Sequence, residues 1–290
     1  MASVEKPLIV IIGPTASGKT GIAIKLAEQF NGEIISADSR AIYKYMDIGT
    51  AKPTIDEQKQ IKHWGVDLIE PGEKFTVADF QKYANEKISD IRARGKIPFL
   101  VGGSGLYVDS VIYNYEFGEI ADEESRAEFE KMTIEELQEY CKIHNILLPE
   151  NYKNKRYLVR TIEQKGVVKN NRKQIRENTI VIGILTDKEE LRNRISARAK
   201  QMFDSEIEKE TKFLAKRYSF DLESMKSNIY PIVHRMMNGE ITRDEAVRLF
   251  EIADWHLAKR QITWFQRNSK IKWLPLCDIE KHISDALNQK

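Results

Sequence analysis

Only two cysteines, Cys141 and Cys277, occur in the 290 residues, far apart and outside any C-x-x-C pattern. That scarcity excludes a disulfide framework and a cysteine-rich zinc module, and it fits a reducing compartment. The five histidines show no metal-ligand spacing. No apolar run approaches the ~18 to 20 residues that a bilayer crossing needs. The longest, Pro7 to Ile12, is strand-length and runs straight into a glycine loop, so the N-terminus also lacks a cleavable signal pattern. An excess of one charge is missing too: 46 Lys and Arg face 44 Asp and Glu, a net of +2, and global charge selects no partner. A cytoplasmic protein with no membrane association is expected. The hydrophobic fraction of 41% supplies a proper core, for one elaborated α/β unit or a core with a small insert.

What is present begins as alternating apolar strands and helical patterns, the mark of a parallel α/β sheet. Leu8–Ile12 is a β-branched run typical of a strand buried on both faces. Residues 20–30 read as a helix, 33–37 as a strand, 78–94 as an amphipathic helix closed by Gly95, and 97–101 as a third strand. After Tyr115 the charge swings: residues 116–139 hold ten acidic against two basic residues, and residues 151–180 nine basic against two acidic. Two solvated helix faces and a phosphate-backbone contact both account for this swing. The sheet pattern returns at 179–185, followed by Thr186-x-x-Glu189, read as a capping box for a long polar helix. The expected architecture is α/β: a P-loop NTPase-like parallel sheet core over residues 1–115 and 178–290, with a helical insert over 116–177. The C-terminal third reads as helical up to a short strand near 271–276.

Gly13-Pro14-Thr15-Ala16-Ser17-Gly18-Lys19-Thr20 fits G-x-x-x-x-G-K-[ST] at every position, after a strand and before a helix. Glycines let backbone N–H groups converge on a phosphate, the helix N-terminus adds positive potential, Lys19 bridges phosphate oxygens, and Thr20 is placed to ligate Mg²⁺. A nucleoside triphosphate is the usual occupant, but any diphosphate satisfies the same cradle, including one that departs as a leaving group. Asp38 follows the second strand, where ligands of open α/β sheets collect; a helix N-cap is its alternative role.

Together GPTASGKT, ISADSRAIY, DIGTAKP, FTVADFQ, RGKIPFLVGGSGLY and, near the C-terminus, AKRQITWF resemble the tRNA dimethylallyltransferase family, closely over residues 7–112 and more loosely beyond. The resemblance implies transfer of a dimethylallyl group from its diphosphate to N6 of the adenosine 3′-adjacent to the anticodon, with Mg²⁺ present and pyrophosphate released. It implies Asp38 as general base, Lys19 and the loop on the diphosphate, and Ser104 near the reacting adenine, where the family usually has threonine. Ser39, Arg40, Ala41 and Arg126 match tRNA-contacting positions. The adenine would leave its stack to reach Asp38, and the basic insert would meet the anticodon stem-loop. A monomer is expected, and the lack of a zinc-finger extension after Trp273 resembles the bacterial form.

Departures accompany the resemblance. Tyr157 replaces the first arginine of an R-x-x-R-A-L-E segment, Pro231 falls in a glycine-tyrosine segment, and Trp255 stands for an arginine ahead of AKRQ. Arg194 and Arg198 match family arginines and sit i, i+4 on one helix face, as a pyrophosphate clamp or as solvated charge. Lys259 and Arg260 divide the same way. Trp255, Trp264 and Trp273 are read as packing residues and all histidines as structural. Besides tRNA prenylation, the pattern admits a prenyltransferase for a free adenine nucleotide, a small-molecule P-loop kinase, and a catalytically weakened RNA-binding relative.

Overall fold

A computed structural model describes residues 5–117, 123–164 and 174–288. In chain order the elements are β1 (Leu8–Ile12), α1 (Lys19–Gln29), β2 (Gly32–Ser36), α2 (Ile55–Gln60), β3 (His63–Trp64), α3 (Val77–Ala93), β4 (Ile97–Gly102), α4 (Gly105–Ile112), α5 (Glu123–Lys131), α6 (Ile134–Ile143), α7 (Lys155–Glu163), β5 (Thr179–Ile184), α8 (Lys188–Phe203), α9 (Ile207–Ala215), α10 (Tyr230–Met237), α11 (Arg243–Phe265), β6 (Lys272–Leu274) and α12 (Leu276–Asn288). The chain divides into two compact units, residues 1–112 with 175–290, and residues 113–174. Among the described residues no helix is long and apolar enough to cross a membrane.

The larger unit is built on a six-stranded sheet in the order β3-β2-β4-β1-β5-β6, and every pairing is parallel. β1 lies between β4 and β5 with all five residues at zero exposure, which is why its sequence carries no polar alternation. On one face Ile9, Ile11, Ile34 and Phe99 pack with Leu26 of α1 and with Ile279 and Ile283 of α12. A second core, around Phe203, Tyr230 and Phe250, joins α8, α10 and α11 to Met46 in the loop after β2.

One strand is additional to those expected, and one expectation needs correction. His63–Trp64 is an edge strand that two residues were too few to announce. The cap of α8 is Asp187, not Thr186: the Asp187 carboxylate accepts from the Glu189 and Glu190 N–H groups at 2.7 and 3.1 Å, while the Thr186 hydroxyl is buried without a partner. A full negative charge at a helix N-terminus outcompetes a neutral hydroxyl one residue earlier. Elsewhere Thr54, Thr76, Thr133 and Thr242 do form capping boxes.

Among its described residues the smaller unit has three helices, and their apolar faces meet at Leu137, Cys141, Leu158, Val159 and Ile162, so Cys141 is a core residue. Of the charged runs noted above, Glu119, Asp122, Lys165, Lys169, Arg172 and Lys173 lie outside the described residues.

One half-buried carboxylate organises the loop between β2 and α2. Glu210 of α9 accepts the backbone N–H groups of Asp47, Ile48 and Gly49 at 3.0, 2.8 and 2.9 Å and the Tyr230 hydroxyl at 2.7 Å. Glu210→Ala is expected to destabilise the fold by about 3 kcal/mol, because several donors lose a charged acceptor together, and Tyr230→Phe by about 1 kcal/mol. Urea unfolding checks this as a lower midpoint at unchanged slope.

Candidate active site

The phosphate-loop segment Gly13–Thr20 turns at the carboxyl end of β1 and feeds α1. Gly18 sits at φ +87 as the N-cap of α1 and offers no side-chain cap, leaving the first-turn N–H groups open to an anion. Ala16 also adopts a positive φ, +60, a conformation that residues with a Cβ seldom take. Such a loop holds its shape only when its neighbours enforce it. Lys19 Nζ donates to the Pro14 carbonyl at 2.6 Å. Arg194 Nη1 donates to the Ser17 carbonyl at 3.1 Å. Arg198 donates to the Thr15 hydroxyl and lies 3.7 Å from Asp254. These two arginines therefore brace the loop from α8 rather than standing in solvent.

Gln261 is a residue that sequence reasoning missed. Its Oε1 accepts the Thr15 N–H at 2.7 Å, so α11 fastens the loop from the far end of the chain. Its signal lies inside the AKRQITWF segment, next to the more conspicuous charges of Lys259 and Arg260. Trp264, three residues on, donates from Nε1 to Asp109 at 2.9 Å. Lys259, Arg260 and Trp264 line an open groove on the surface of α11.

A cleft beside the loop is walled by Lys19, Thr20, Asp38, Ala41, His63 and Val101 among others. Asp38 leaves β2 and caps no helix; its Oδ1 accepts the Arg40 N–H at 2.8 Å, fixing the turn that holds it in the cleft wall. Gly102 is required opposite, since a Cβ there would collide with the Ala37 carbonyl. That close approach lets the Ser104 hydroxyl accept the Ser39 N–H at 2.9 Å and donate to the Ser39 hydroxyl at 3.1 Å. Arg40 turns its guanidinium to the Glu223 carbonyl at 2.6 Å. His63, expected to be purely structural, is a wall residue with Nδ1 2.8 Å from the Ile61 carbonyl. Arg126 belongs to the smaller unit, where it pairs with Glu130 at 3.0 Å and Glu163 at 3.4 Å.

The three departures are absorbed locally. Pro231 occupies the first turn of α10, where its missing N–H has no use. Trp255 packs on Leu191 and Ile195 beneath the Arg192 guanidinium, 4.8 Å from its ring. Tyr157 is exposed on α7.

Burial pushes the Lys19 ammonium down to about 8, with the Asp38 carboxylate pulling it upward. Among the described residues no cluster of three or more His, Cys, Asp or Glu could hold a metal by itself. An oxygen-loving cation would need the exposed Thr20 hydroxyl together with oxygens of its ligand, the mode Mg²⁺ favours with phosphates.

A phosphate loop facing a carboxylate across a partly apolar cleft, at the carboxyl edge of a parallel sheet, defines a P-loop group-transfer enzyme. The signature of the IPP transferase family matches residues 41–268, and that of isopentenyl transferases residues 6–67. The tRNA dimethylallyltransferase of Bacillus licheniformis is 37% identical over 95% of this chain and 93% of its own. That of Acetivibrio thermocellus is 40% identical over 92% and 91%. The chain belongs to the IPP transferase family, that of the tRNA dimethylallyltransferases. The crystal structure of the Bacillus halodurans tRNA isopentenylpyrophosphate transferase superposes with a TM-score of 0.75 at 34% identity, covering 99% of this chain and 98% of that one. A eukaryotic dimethylallyltransferase acting on tRNA shares the fold, with a TM-score of 0.77 at 21% identity over 98% of this chain and 77% of its own.

Lys19 is charged below about pH 8 and neutral above it. Inorganic pyrophosphate is therefore expected to bind wild type roughly ten- to a hundredfold more tightly than Lys19→Met at neutral pH, the worth of a charged hydrogen bond. The ratio should shrink as pH climbs above 8, because only the wild type must then take up a proton. Calorimetry on both proteins cancels the ligand's own titration; a constant ratio across the series would refute the assignment.

Proposed function

We propose that this chain transfers a dimethylallyl group from dimethylallyl diphosphate to N6 of the adenosine 3′-adjacent to the anticodon of tRNA. The observation that carries this reading is that the phosphate loop and Asp38 share one cleft. N6 attacks C1 of the allylic diphosphate, the C1–O bond breaks, and pyrophosphate departs into the loop's N–H cradle beside Lys19. Asp38 accepts the N6 proton as positive charge develops on nitrogen, the work of a positioned general base. Lys19 and the open N–H groups of α1 meet charge growing on the departing oxygens, where fixed donors count most. The apolar wall of Ala41 and Val101 suits a prenyl tail. Ser39, Arg40, Ala41 and Ser104 would frame the adenine, and Arg126 with the basic insert would meet the anticodon stem-loop.

Mg²⁺ fits the Thr20 hydroxyl and the ligand's oxygens, and when bound it neutralises diphosphate charge. A monomer working in the cytoplasm belongs to the same reading. The family relationship favours it over a kinase, and the structural accommodation of Tyr157, Pro231 and Trp255 leaves no observation that favours a non-catalytic relative.

Incubation with dimethylallyl diphosphate, Mg²⁺ and an anticodon stem-loop carrying a run of adenosines should add a single prenyl group to the RNA, read by mass spectrometry. Asp38→Asn is expected to lower kcat by about 10² to 10⁴, the range for losing a general base. RNA binding without product would sink the reading, and so would a fully active Asp38→Asn.

A further inference from the structure

The loop that walls the cleft with Ala41, Thr50 and Ala51 carries on its outer side a residue the reaction does not use. Tyr45 holds φ +65, a left-handed conformation that bulky side chains rarely adopt, and keeps 42% of its surface exposed. Its ring meets Phe213 of α9 edge-on at 5.6 Å and 61°, and Phe213 is itself 37% exposed. Arg217, four residues beyond Phe213, places its guanidinium 3.9 Å from the Phe213 ring centre and 5.8 Å from that of Tyr45. Aromatic surface normally turns inward, so two exposed rings roofed by a guanidinium on a strained backbone need a reason.

The surrounding charge narrows that reason. Lys212, Lys216 and Arg217 are exposed at the end of α9, and among the described residues none of them is paired with a carboxylate. The carboxylates close by are already engaged. Glu210 is held by loop N–H groups, and Glu70 by Lys44 and by the Tyr218 hydroxyl. Exposed aromatic faces, a planar guanidinium and unpaired cations together fit one chemistry, an unstacked base on a polyanionic strand.

We propose that Tyr45, Phe213 and Arg217 form a stacking platform for an unpaired base of the RNA substrate, outside the cleft in which the reacting adenine is modified. The platform rests on the reading that RNA is the substrate. It supplies affinity and register, not chemistry: one base stacks on Tyr45 and the Arg217 plane while Lys212 and Lys216 meet the flanking phosphates. Because the same loop also walls the cleft, a strand docked on its outer side is delivered toward Asp38.

Tyr45→Gly is the direct test, since glycine suits a φ of +65 and removes only the ring. A fluorescently labelled anticodon stem-loop, titrated by anisotropy, should bind this variant about tenfold more weakly, the scale of one lost base–aromatic stack. KM for the RNA should rise by the same factor at unchanged kcat, and pyrophosphate affinity should stay at the wild-type value. Tyr45→Phe keeps the ring, loses only the hydroxyl, and should restore RNA binding. Arg217→Ala should weaken RNA binding in the same direction. Equal RNA affinity in Tyr45→Gly and wild type overturns the platform, as does a change confined to self-association in sedimentation. If wild type binds the RNA but makes no product, the functional reading falls while the anisotropy still judges the platform. Absence of RNA binding by wild type overturns both.

Discussion

A backbone loop whose N–H groups all turn toward one side cannot satisfy itself, and this protein braces its phosphate loop from outside. Gln261 takes the Thr15 N–H, Arg194 the Ser17 carbonyl, and Arg198 the Thr15 hydroxyl. Lys19 folds back onto Pro14. All three outside braces come from α8 and α11, late in the chain, while the loop itself is near its start. The site is therefore complete only once the C-terminal helices have packed against the sheet, and the same helices that build the second core also tension the loop.

The loop after β2 shows the same dependence on distant partners. Glu210 gathers three successive N–H groups, and Lys52, with a side chain only 2% exposed, is held by the Tyr43 carbonyl, Asp47 and Asp67. A buried ammonium left without partners would be strongly unfavourable, so this triple contact dictates the course of the segment rather than decorating it. One consequence is a rigid cleft wall at Ala41, Thr50 and Ala51. Another is the strained outward posture of Tyr45, which a freely moving loop would relax. Precision on the inner face and an unusual surface on the outer face have one cause.

Much of this fold was legible in the residues. Largely apolar runs announced β1, β4 and β5, because strands covered on both faces have few polar positions to interrupt them. The phosphate-loop pattern between a strand and a helix located the loop that leaves the first N–H groups of α1 uncapped, and Asp38 could be placed at a strand end. What escaped were features resting on short or solitary signals. His63–Trp64 is a two-residue strand made by the edge it joins. Asp187 displaced Thr186 because a charged cap is favoured over a neutral one, a competition that a motif does not record.

The sequence by itself determined the alternation of the main strands and helices, the parallel sheet and the glycine loop after β1, since these follow from local periodicity and from contiguous residues with one geometric solution. Tertiary structure alone decided that Gln261, 246 positions away, would hold Thr15, and that Glu210 would anchor residues 47–49. It also decided which side of one loop would face the cleft and which would carry Tyr45 outward. Such contacts join groups whose chemistry is ordinary and whose separation along the chain is large. Only packing selects them from the many glutamines, glutamates and tyrosines that could equally have served.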